Sequence, residues 1–382
     1  MTRLVRLPKI LPPPTTLDRS AYSLTVPCLA ARVPARQLGE LRAALPKRAW
    51  VGVPRVKAVV DDPLGLVDHR AFLLNPDYAD AAAGTEEDIN VDCIPDKEVT
   101  AVLSKFAIGI TRHNLHLPYE YWLAEDILSA ALPDGVEVPA SFEIVGHLAH
   151  LNLRSEHGPF RHLIGQVILD KNRALRTVVS KVGVIDTTFR FFNMELLAGD
   201  ADFEVEVRQS GCRFRFDYSK VYWNSRLSGE HERLVDKIGK GEAVLDVFCG
   251  VGPFAIPAAR KGARVVANDL NPASHAALLG NAELNKVTLV ASLNRDGRDV
   301  ILESRQLLPP GASHFSHYIM NLPAIAVTFC DAFDVIADDF AEHWDKMHIH
   351  VYVFVRPGEH AVSLLKQHIR HAIVVDEVHM VR

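Results

Sequence analysis

The chain has 382 residues and a formal net charge of −5, with 48% hydrophobic and 23% charged residues. This length predicts two or three domains, each able to bury an ordinary core. No apolar run approaches the roughly 18–20 residues that cross a bilayer, so we expect a soluble protein without a membrane partner. The five cysteines form no CxxC pair, which indicates a reduced intracellular protein without a metal site.

The amino-terminal block is strongly basic. Residues 1–59 contain eleven Lys and Arg against two acids, whereas residues 60–145 contain four against seventeen. A basic block favours a polyanionic partner, and an ordinary solvated surface is the alternative. The first fourteen residues lack acids, as a mitochondrial presequence does, but their prolines oppose a long amphipathic helix. Mitochondrial import therefore stays open.

The middle of the chain changes from a helical to a β pattern. A helical repeat of apolar residues runs from Trp122 to Ala131 and meets a stop signal at Pro133-Asp134-Gly135. The segments that follow favour strands, and they lie at 141–153, 162–170, 177–185 and 189–199. Residues 203–209 and 212–218 alternate apolar and polar side chains, which predicts an antiparallel hairpin.

From residue 229 onward, helical and strand patterns alternate. The predicted strands lie at 243–248, 263–268, 287–293, 315–320, 348–355 and 372–381. This alternation predicts an α/β domain with a doubly wound parallel sheet.

A glycine turn follows the first of these strands. Gly250 and Gly252 allow close approach of a ligand to the backbone, but Ala255 stands where the NAD fingerprint has its third glycine. Asp246, four residues before Gly250, is unfavourable beside a pyrophosphate and suits the positive charge of S-adenosylmethionine. Asp269 closes the second strand, where a carboxylate can accept hydrogen bonds from both ribose hydroxyls. Two carboxylates that merely cap neighbouring strands are the alternative.

The sequence MNLP at 320–323 ends the fourth strand of this domain. In such domains that position faces the methyl acceptor, and DNA and protein amine methylases have Asn/Asp-Pro-Pro-aromatic there. Asn321-Leu322-Pro323 departs from that pattern. The cysteine that an RNA cytosine-C5 methylase needs is also absent, because Cys330 lies seven residues beyond Pro323 and is expected in the core.

Seven stretches carry a family resemblance. They are GHLAHLNLR (146–154), LIGQVILDKN (163–172), FRFFNMELLAGD (189–200), FDYSKVYWNSRLSGEHERL (216–234), DVFCGVGPFAIPA (246–258), NDLNP (268–272) and NLP (321–323). The chain resembles the archaeal and eukaryotic tRNA (guanine-37-N1)-methyltransferases, and the eukaryotic branch most. These enzymes methylate N1 of the guanosine 3′ to the anticodon (guanosine 37), which helps to keep the reading frame.

The resemblance implies three domains. A small α+β domain at 1–112 is expected to bind the tRNA body, and a β-rich α+β domain at 113–215 follows it. A class I, Rossmann-like methyltransferase domain at 216–382 is expected to lack the last strand of the family, which would follow the VHMVR segment. The implied partner is a tRNA with guanosine at position 37, and we expect a cytoplasmic monomer, with the nucleus and the mitochondrial matrix left open.

The resemblance also assigns roles to single residues. The essential arginine of the family falls on Arg190, the general base on Glu230 and a tyrosine near the target base on Tyr222. Asn321 and Pro323 shape the acceptor pocket. The cofactor contacts fall on His231, Asp269, Leu270, Asp296, Gly297 and Asn321, beside Asp246, Gly250 and Gly252 of the glycine turn. Without the resemblance, Arg190 would be a surface or salt-bridged residue, His231 would be a surface residue and Glu230 would favour a helix dipole. Tyr222 would be either a core aromatic or a stacking platform for a flipped base.

The chemistry of guanine explains this set. Its N1 carries a proton at neutral pH, and removal of that proton places negative charge on O6. A carboxylate such as Glu230 serves as the base if burial raises its pKa. Arg190 then donates to O6 as charge develops there.

Two other functions stay open from the sequence. A tRNA-wybutosine aminocarboxypropyl transferase resembles the same family and moves a different group from S-adenosylmethionine. A tRNA-binding protein that has lost its activity is the second alternative, although Asp246, Asp269, Glu230 and Arg190 are all present.

Overall fold

The computed structural model describes residues 5–80, 89–182, 193–370 and 374–381. Its contacts divide the chain into two compact units. The first contains the described residues up to 140 together with 159–171, and the second contains 141–158 and the described residues from 172 onward. The three-domain division stays a prediction, although one strand, Gly109–Leu117, crosses its boundary after residue 112. In the ranges described, no helix is long and apolar enough to span a membrane.

The first unit is built on an antiparallel sheet. Its strands are β1 (Leu24–Pro34), β2 (Val59–Asp61), β3 (His69–Leu73) and β4 (Gly109–Leu117), in the order β2-β3-β1-β4. Its helices are α1 (Leu38–Ala44), α2 (Lys97–Phe106), α3 (Ala124–Ala131) and α4 (Arg161–Lys171). Leu29 and Phe72 of neighbouring strands share one buried core with Leu41 of α1 and Leu103 of α2. Helix α3 ends at Ala131, as the stop signal predicted, but it begins after Trp122.

Helix α4 shows that the strand predicted at 162–170 is wrong. Leu163, Ile164, Val167 and Ile168 are all buried, and their spacing places them on one face of a helix. A short apolar run fits a buried helix as well as a buried strand, so periodicity alone did not separate the two.

The second unit begins with a mixed sheet. Its strands are β5 (Glu143–Val145), β6 (Leu148–Leu151), β7 (Thr177–Val182) and β8 (Asn193–Gly199), in the order β5-β6-β7-β8. β6 and β7 are parallel, and the remaining pairs are antiparallel. The chain between β6 and β7 includes α4, which clusters with the first unit. The chain that connects these two parallel strands therefore includes residues that belong to the first unit.

The predicted hairpin is confirmed as β9 (Glu204–Gln209) and β10 (Cys212–Asp217). Ser210 and Gly211 connect the strands with φ of 49° and 69°. Two successive positive φ values belong to the tight turns that match strand twist, and Gly211 adopts that conformation without steric cost.

The rest of the second unit is the predicted doubly wound domain. Its strands are β11 (Ala243–Asp246), β12 (Arg264–Asn268), β13 (Ala291–Leu293), β14 (His317–Met320) and β15 (His348–Val351). All are parallel, in the order β13-β12-β11-β14-β15. Its helices are α5 (Ser228–Lys237), α6 (Ala255–Lys261), α7 (Pro272–Leu284), α8 (Gly297–Leu302), α9 (Ala332–Ile336) and α10 (Ala361–His368). Successive residues of β11, Val244 and Leu245, point to opposite faces and belong to separate apolar clusters, so the sheet is buried on both faces.

The last predicted strand, 372–381, is wrong for the part that the structure describes. Residues 374–381 contain no strand. Glu377 forms ion pairs with Arg233 and Lys237 of α5 instead. Side-chain ion pairs, not a strand ladder, therefore hold this segment.

Candidate active site

The glycine turn connects β11 to α6. Gly250 and Gly252 have φ of 55° and 98°, a conformation that favours glycine. A Cβ on Gly252 would lie 2.7 Å from Ile256 and 2.8 Å from Leu278, whereas no described atom lies within 4 Å of one placed on Gly250. Gly252 therefore permits close packing beneath the turn, and Gly250 leaves open space above it.

Asp246 ends β11 directly before this turn, and it is fully buried. Among the described residues, neither carboxylate oxygen has a hydrogen bond of ordinary geometry. Burial and then the nearby charge of Asp269 raise the pKa of Asp246 well above its usual range, and the N–H groups of Phe248 and Ala255 offset this only in part. A buried carboxylate without a partner is costly unless a cation or donor meets it. The positive groups of S-adenosylmethionine fit this requirement.

Asp269 ends the neighbouring strand and holds the glycine turn. One carboxylate oxygen accepts from the Gly250 N–H at 2.8 Å, and the other accepts from the Asn271 N–H at 2.9 Å. Burial raises the pKa of Asp269, and these two hydrogen bonds partly oppose the rise. Each oxygen keeps a lone pair that can accept from a ribose hydroxyl. We call Asp246, Gly250, Gly252 and Asp269 together the cofactor edge.

Leu270, Asp296 and Gly297 lie beside the cofactor edge. Leu270 is exposed, and the side-chain amide of Asn294 donates to the backbone oxygens of Asp269 and Leu270 at 2.7 and 2.9 Å. Asp296 caps α8 by accepting from the Arg298 N–H at 2.8 Å. A Cβ on Gly297 would lie 2.5 Å from the Phe248 ring, so this glycine lets α8 approach the turn.

His231 lies next to the glycine turn, with its ring edge-on to Phe254 at 4.6 Å. Its Nδ1 is 2.7 Å from the side-chain amide nitrogen of Gln209 on β9. Burial lowers the pKa of His231 to about 4, so the ring is neutral near pH 7. Because the Gln209 amide donates to Nδ1, the ring proton lies on Nε2. That Nε2 is buried without a partner among the described residues, so it can donate to a ligand.

Glu230 lies in the first turn of α5 and is buried. Its Oε1 accepts from Arg233 Nη2 at 2.8 Å and from the Tyr352 hydroxyl at 2.7 Å, and its Oε2 accepts from Arg233 Nε at 2.7 Å. His379 Nε2 is 3.7 Å from the same Oε2. We call Glu230, Arg233, Tyr352 and His379 the Glu230 cluster.

The pKa of Glu230 differs from the sequence-based expectation. Burial raises it, but the hydrogen bonds from Arg233 and Tyr352 and the charges of Arg233 and His379 together bring it below its ordinary value. The upward pKa shift on which its role as a base was made conditional is therefore not found in the free protein, because partners of opposite charge outweigh burial. Glu230 is ionised at neutral pH.

The Glu230 cluster adjoins the cofactor edge through aromatic rings. Tyr352 follows β15 directly, and its ring centroid lies 5.9 Å from that of Phe254. Phe254 in turn precedes α6 and contacts His231. Glu230, His231 and the glycine turn therefore lie at the carboxyl end of the parallel sheet, where ligands bind in this architecture.

The acceptor residues of the sequence lie at the same end. Asn321 and Pro323 follow β14, and the Pro323 carbonyl accepts from the Phe354 N–H at 3.0 Å. Tyr222 is 49% exposed, and its neighbour Lys220 is tied to the end of β12 by a 2.8 Å hydrogen bond from Asn271. No described hydrogen bond joins Tyr222 to Glu230.

Two other residues complete this comparison with the sequence. Cys330 is buried, and burial raises the pKa of its thiol to about 12, which confirms the expectation of a core residue. Arg190 lies outside the described residues. In the part of the chain that the structure describes, no group of three or more His, Cys, Asp or Glu could hold a metal ion.

Three site residues were missed from the sequence. Arg233 stands three residues after Glu230 on a predicted helix, a spacing that signals an ion pair. Gln209 and Tyr352 reach their partners across 22 and 122 residues, so no local pattern identifies them.

A parallel sheet in this order, with a glycine turn and two strand-end carboxylates, defines an S-adenosylmethionine-dependent methyltransferase of the Rossmann-like class. The family model for the TRM5/TYW2 methyltransferase domain matches residues 205–374, and that for the TYW2 N-terminal domain matches residues 124–202. The chain belongs to the tRNA (guanine(37)-N(1))-methyltransferase family, as its similarity to curated members shows.

Two such relatives carry the name tRNA (guanine(37)-N(1))-methyltransferase. The protein of Coprinopsis cinerea is 41% identical over 84% of this chain and 77% of its own length. That of Danio rerio is 43% identical over 85% of this chain and 68% of its own length. The solved complex of aTrm5 and tRNALeu is 21% identical, with a TM-score of 0.54 over 81% of this chain and 83% of that one, and it supports the fold alone.

Proposed function

We propose that this chain transfers a methyl group from S-adenosylmethionine to N1 of guanosine 37 in tRNA, with Glu230 as the general base. The observation that carries this assignment is an ionised, buried carboxylate placed beside the cofactor edge. The name shared by the curated relatives supports methyl transfer over aminocarboxypropyl transfer.

Three residues of the chain hold the cofactor in this proposal. Bound S-adenosylmethionine supplies a methyl carbon activated by a sulfonium. Asp269 accepts from the ribose hydroxyls, Asp246 offsets positive charge, and the neutral His231 donates through Nε2. Within the described ranges, the Asp246 carboxylate and His231 Nε2 are buried without a hydrogen bond of ordinary geometry, which supports this arrangement.

Leu270, Asp296 and Gly297 act at the border of the same site. Leu270 offers an exposed apolar surface to the adenosine side. The carboxylate of Asp296 already caps α8, and Gly297 leaves no room for a side chain. These three residues therefore shape the pocket.

The acceptor side prepares the guanine. Glu230 accepts the N1 proton, and the electron pair left on N1 attacks the methyl carbon. Arg190 donates to O6 as negative charge forms there; this role rests on the family resemblance. A low pKa makes Glu230 a weak base in the free protein, so we expect the bound guanine to displace part of the Glu230 cluster and strengthen it.

Tyr222, Asn321 and Pro323 position the target base in this proposal. The half-exposed ring of Tyr222 offers a face on which an unstacked base can pack. Asn321 and Pro323 form the wall of the acceptor pocket at the end of β14. The proximity of both segments to the carboxyl end of the sheet supports these roles.

The tRNA partner is supported by the basic amino-terminal block. Arg36, Lys47 and Lys57 are all exposed and are available to phosphates. Binding of tRNA should therefore weaken as salt rises, since each phosphate contact releases counterions. We further propose a monomer located in the cytoplasm, which sedimentation and cell fractionation would test.

The decisive experiment is methyl transfer from labelled S-adenosylmethionine to unmodified tRNA transcripts that carry either guanosine or adenosine at position 37. We expect label in the guanosine transcript alone and a product mass increased by one methyl group. An aminocarboxypropyl mass would establish the wybutosine alternative. Binding of tRNA without any transfer would establish the non-catalytic one.

A further inference from the structure

The hydrogen bonds of Glu230 leave its two oxygens unequal. A carboxylate oxygen has two lone pairs that can each accept a hydrogen bond. On Oε1 both are used, by Arg233 Nη2 and the Tyr352 hydroxyl. On Oε2, Arg233 Nε takes one. Among the described residues, Oε2 accepts no second hydrogen bond, and His379 Nε2 lies 3.7 Å from it.

We propose that Tyr352 is a positioning residue, which together with Arg233 fixes the Glu230 carboxylate so that Oε2 receives the guanine N1 proton. This inference rests on the proposed function, in which Glu230 is the base. The N–H bond of N1 breaks, the proton passes to Oε2, and the N1 electron pair forms the new bond to the methyl carbon as the carbon–sulfur bond breaks.

Tyr352 is well placed to hold Glu230. Its backbone N–H donates to the Met320 carbonyl at 3.1 Å, which continues the pairing of β14 and β15. Its ring packs against Phe254. Burial, followed by the hydrogen bond and charge of Glu230, raises the pKa of Tyr352, so the hydroxyl stays a donor at neutral pH. Tyr352 therefore connects the Glu230 carboxylate to the parallel sheet, whereas Arg233 connects it to its own helix.

Titratable side chains approach Glu230 from three elements of the second unit. Arg233 comes from the same helix, Tyr352 from the end of β15, and His379 from the segment 374–381. Glu377 of that segment pairs with Arg233 at 3.5 Å. The His379 side chain is 46% exposed, so it can leave Oε2 when a guanine arrives, whereas Arg233 and Tyr352 remain.

The test is Tyr352→Phe, measured as single-turnover methylation against pH at saturating tRNA and S-adenosylmethionine. We expect the maximal rate to fall about ten- to a hundredfold, because the base is no longer held in line. The rising limb of the pH–rate profile should move to higher pH by about one unit, since a hydrogen-bond donor to the ionised carboxylate is lost. The affinity for tRNA should not change.

Tyr318→Phe is the matched control. Tyr318 is buried in neighbouring β14, and its hydroxyl makes no described contact with Glu230. The pH–rate profile and the maximal rate should therefore stay as in the unmodified protein. Arg233→Lys is the second variant. It keeps the charge but loses the paired donors, and its side chain is 29% exposed, so it should fold and show the same upward shift.

The outcomes separate this inference from the proposed function. If Glu230→Gln abolishes the pH dependence while Tyr352→Phe and Arg233→Lys both keep the original limb and maximum, Glu230 is the base and the positioning role is overturned. If Glu230→Gln itself keeps the original limb, the base lies elsewhere and the proposed function needs another residue. A shifted limb in Tyr352→Phe with an unchanged Tyr318→Phe supports the inference.

Discussion

Asp246 of the cofactor edge and Glu230 of the Glu230 cluster are both buried carboxylates of the second unit, yet their pKa values move in opposite directions. Asp246 meets no ordinary hydrogen bond among the described residues, and its pKa is raised. Glu230 meets Arg233 and Tyr352, and its pKa is lowered. Burial alone therefore does not decide the protonation state of a carboxyl group. Hydrogen-bond donors and positive charges beside it decide whether its pKa rises or falls.

The difference matches the two tasks that we propose for these residues. A carboxylate that awaits a positively charged ligand can remain unpaired in the free protein, since the ligand completes it. A carboxylate that must present one oxygen in one direction needs its other lone pairs occupied. The cofactor edge is thus incomplete by itself, whereas the Glu230 cluster is already assembled.

The largest effect should come from Glu230→Gln, which removes the proposed general base but keeps the size and shape of the side chain. We expect the chemical step to slow by about 10²–10⁴-fold, with unchanged affinity for both substrates, measured in single-turnover and binding experiments. Glu232→Gln changes an exposed residue of the same helix and should leave the rate intact. Equal slowing in both variants would mean that the effect arises from α5 as a whole.

Asp269→Ala should come next, because it removes the carboxylate that we propose accepts hydrogen bonds from the ribose. Loss of hydrogen bonds to a charged acceptor should weaken S-adenosylmethionine binding about 10–150-fold, while tRNA affinity is retained. Calorimetric titration measures both. Asp299→Ala, at an exposed position of α8, is the control. An unchanged S-adenosylmethionine affinity in Asp269→Ala would remove this residue from the cofactor edge.

Asp246→Asn should stabilise the ligand-free protein. The folded-state pKa of Asp246 lies above its unfolded value, so the folded state binds more protons between the two, and stability falls as pH rises through that window. At neutral pH the variant should have a higher free energy of unfolding than the unmodified chain, because its neutral amide avoids the cost of a buried, uncompensated charge.

Denaturant titrations of Asp246→Asn and the unmodified chain at several pH values measure this difference. The gap between them should narrow as the pH falls toward about 4, the ordinary pKa of an unfolded Asp, and close below it, where the carboxyl is protonated in both states. A variant that is less stable at every pH would mean that the Asp246 carboxylate already has a partner in the folded chain.

The smallest effect should follow Glu377→Gln. Glu377 pairs with Arg233 and Lys237 from a segment without strand structure, and its side chain is 49% exposed. Exposed ion pairs contribute little to stability because solvent screens them, so thermal unfolding should change little. A larger loss would show that the segment 374–381 supports the Glu230 cluster from outside.

The cofactor edge could be predicted from the sequence, because its residues are local. Asp246, Gly250 and Gly252 follow one strand within seven positions, and Asp269 ends the next strand. The hairpin β9–β10 was equally predictable from alternation. Such features depend on near neighbours in the chain, which a sequence displays directly.

The Glu230 cluster was only half predictable. The family resemblance identified Glu230 but not the direction of its pKa shift, because that depends on Tyr352, 122 residues away. The strand predicted at 162–170 failed because a short apolar run fits helix α4 equally well. Both errors concern contacts that exist only after the chain has folded.

The passage of the chain through α4 has a consequence for biosynthesis. Residues 141–158 enter the second unit, and residues 159–171 return to the first before the chain enters the second again. During synthesis, the first unit therefore cannot be completed until α4 has left the ribosome. Strand β6 likewise cannot pair with β7 until the intervening residues, which include α4, have been synthesised. No single peptide bond separates the two units, so an isolated second unit would need the 141–158 segment rejoined to residue 172 by a designed linker.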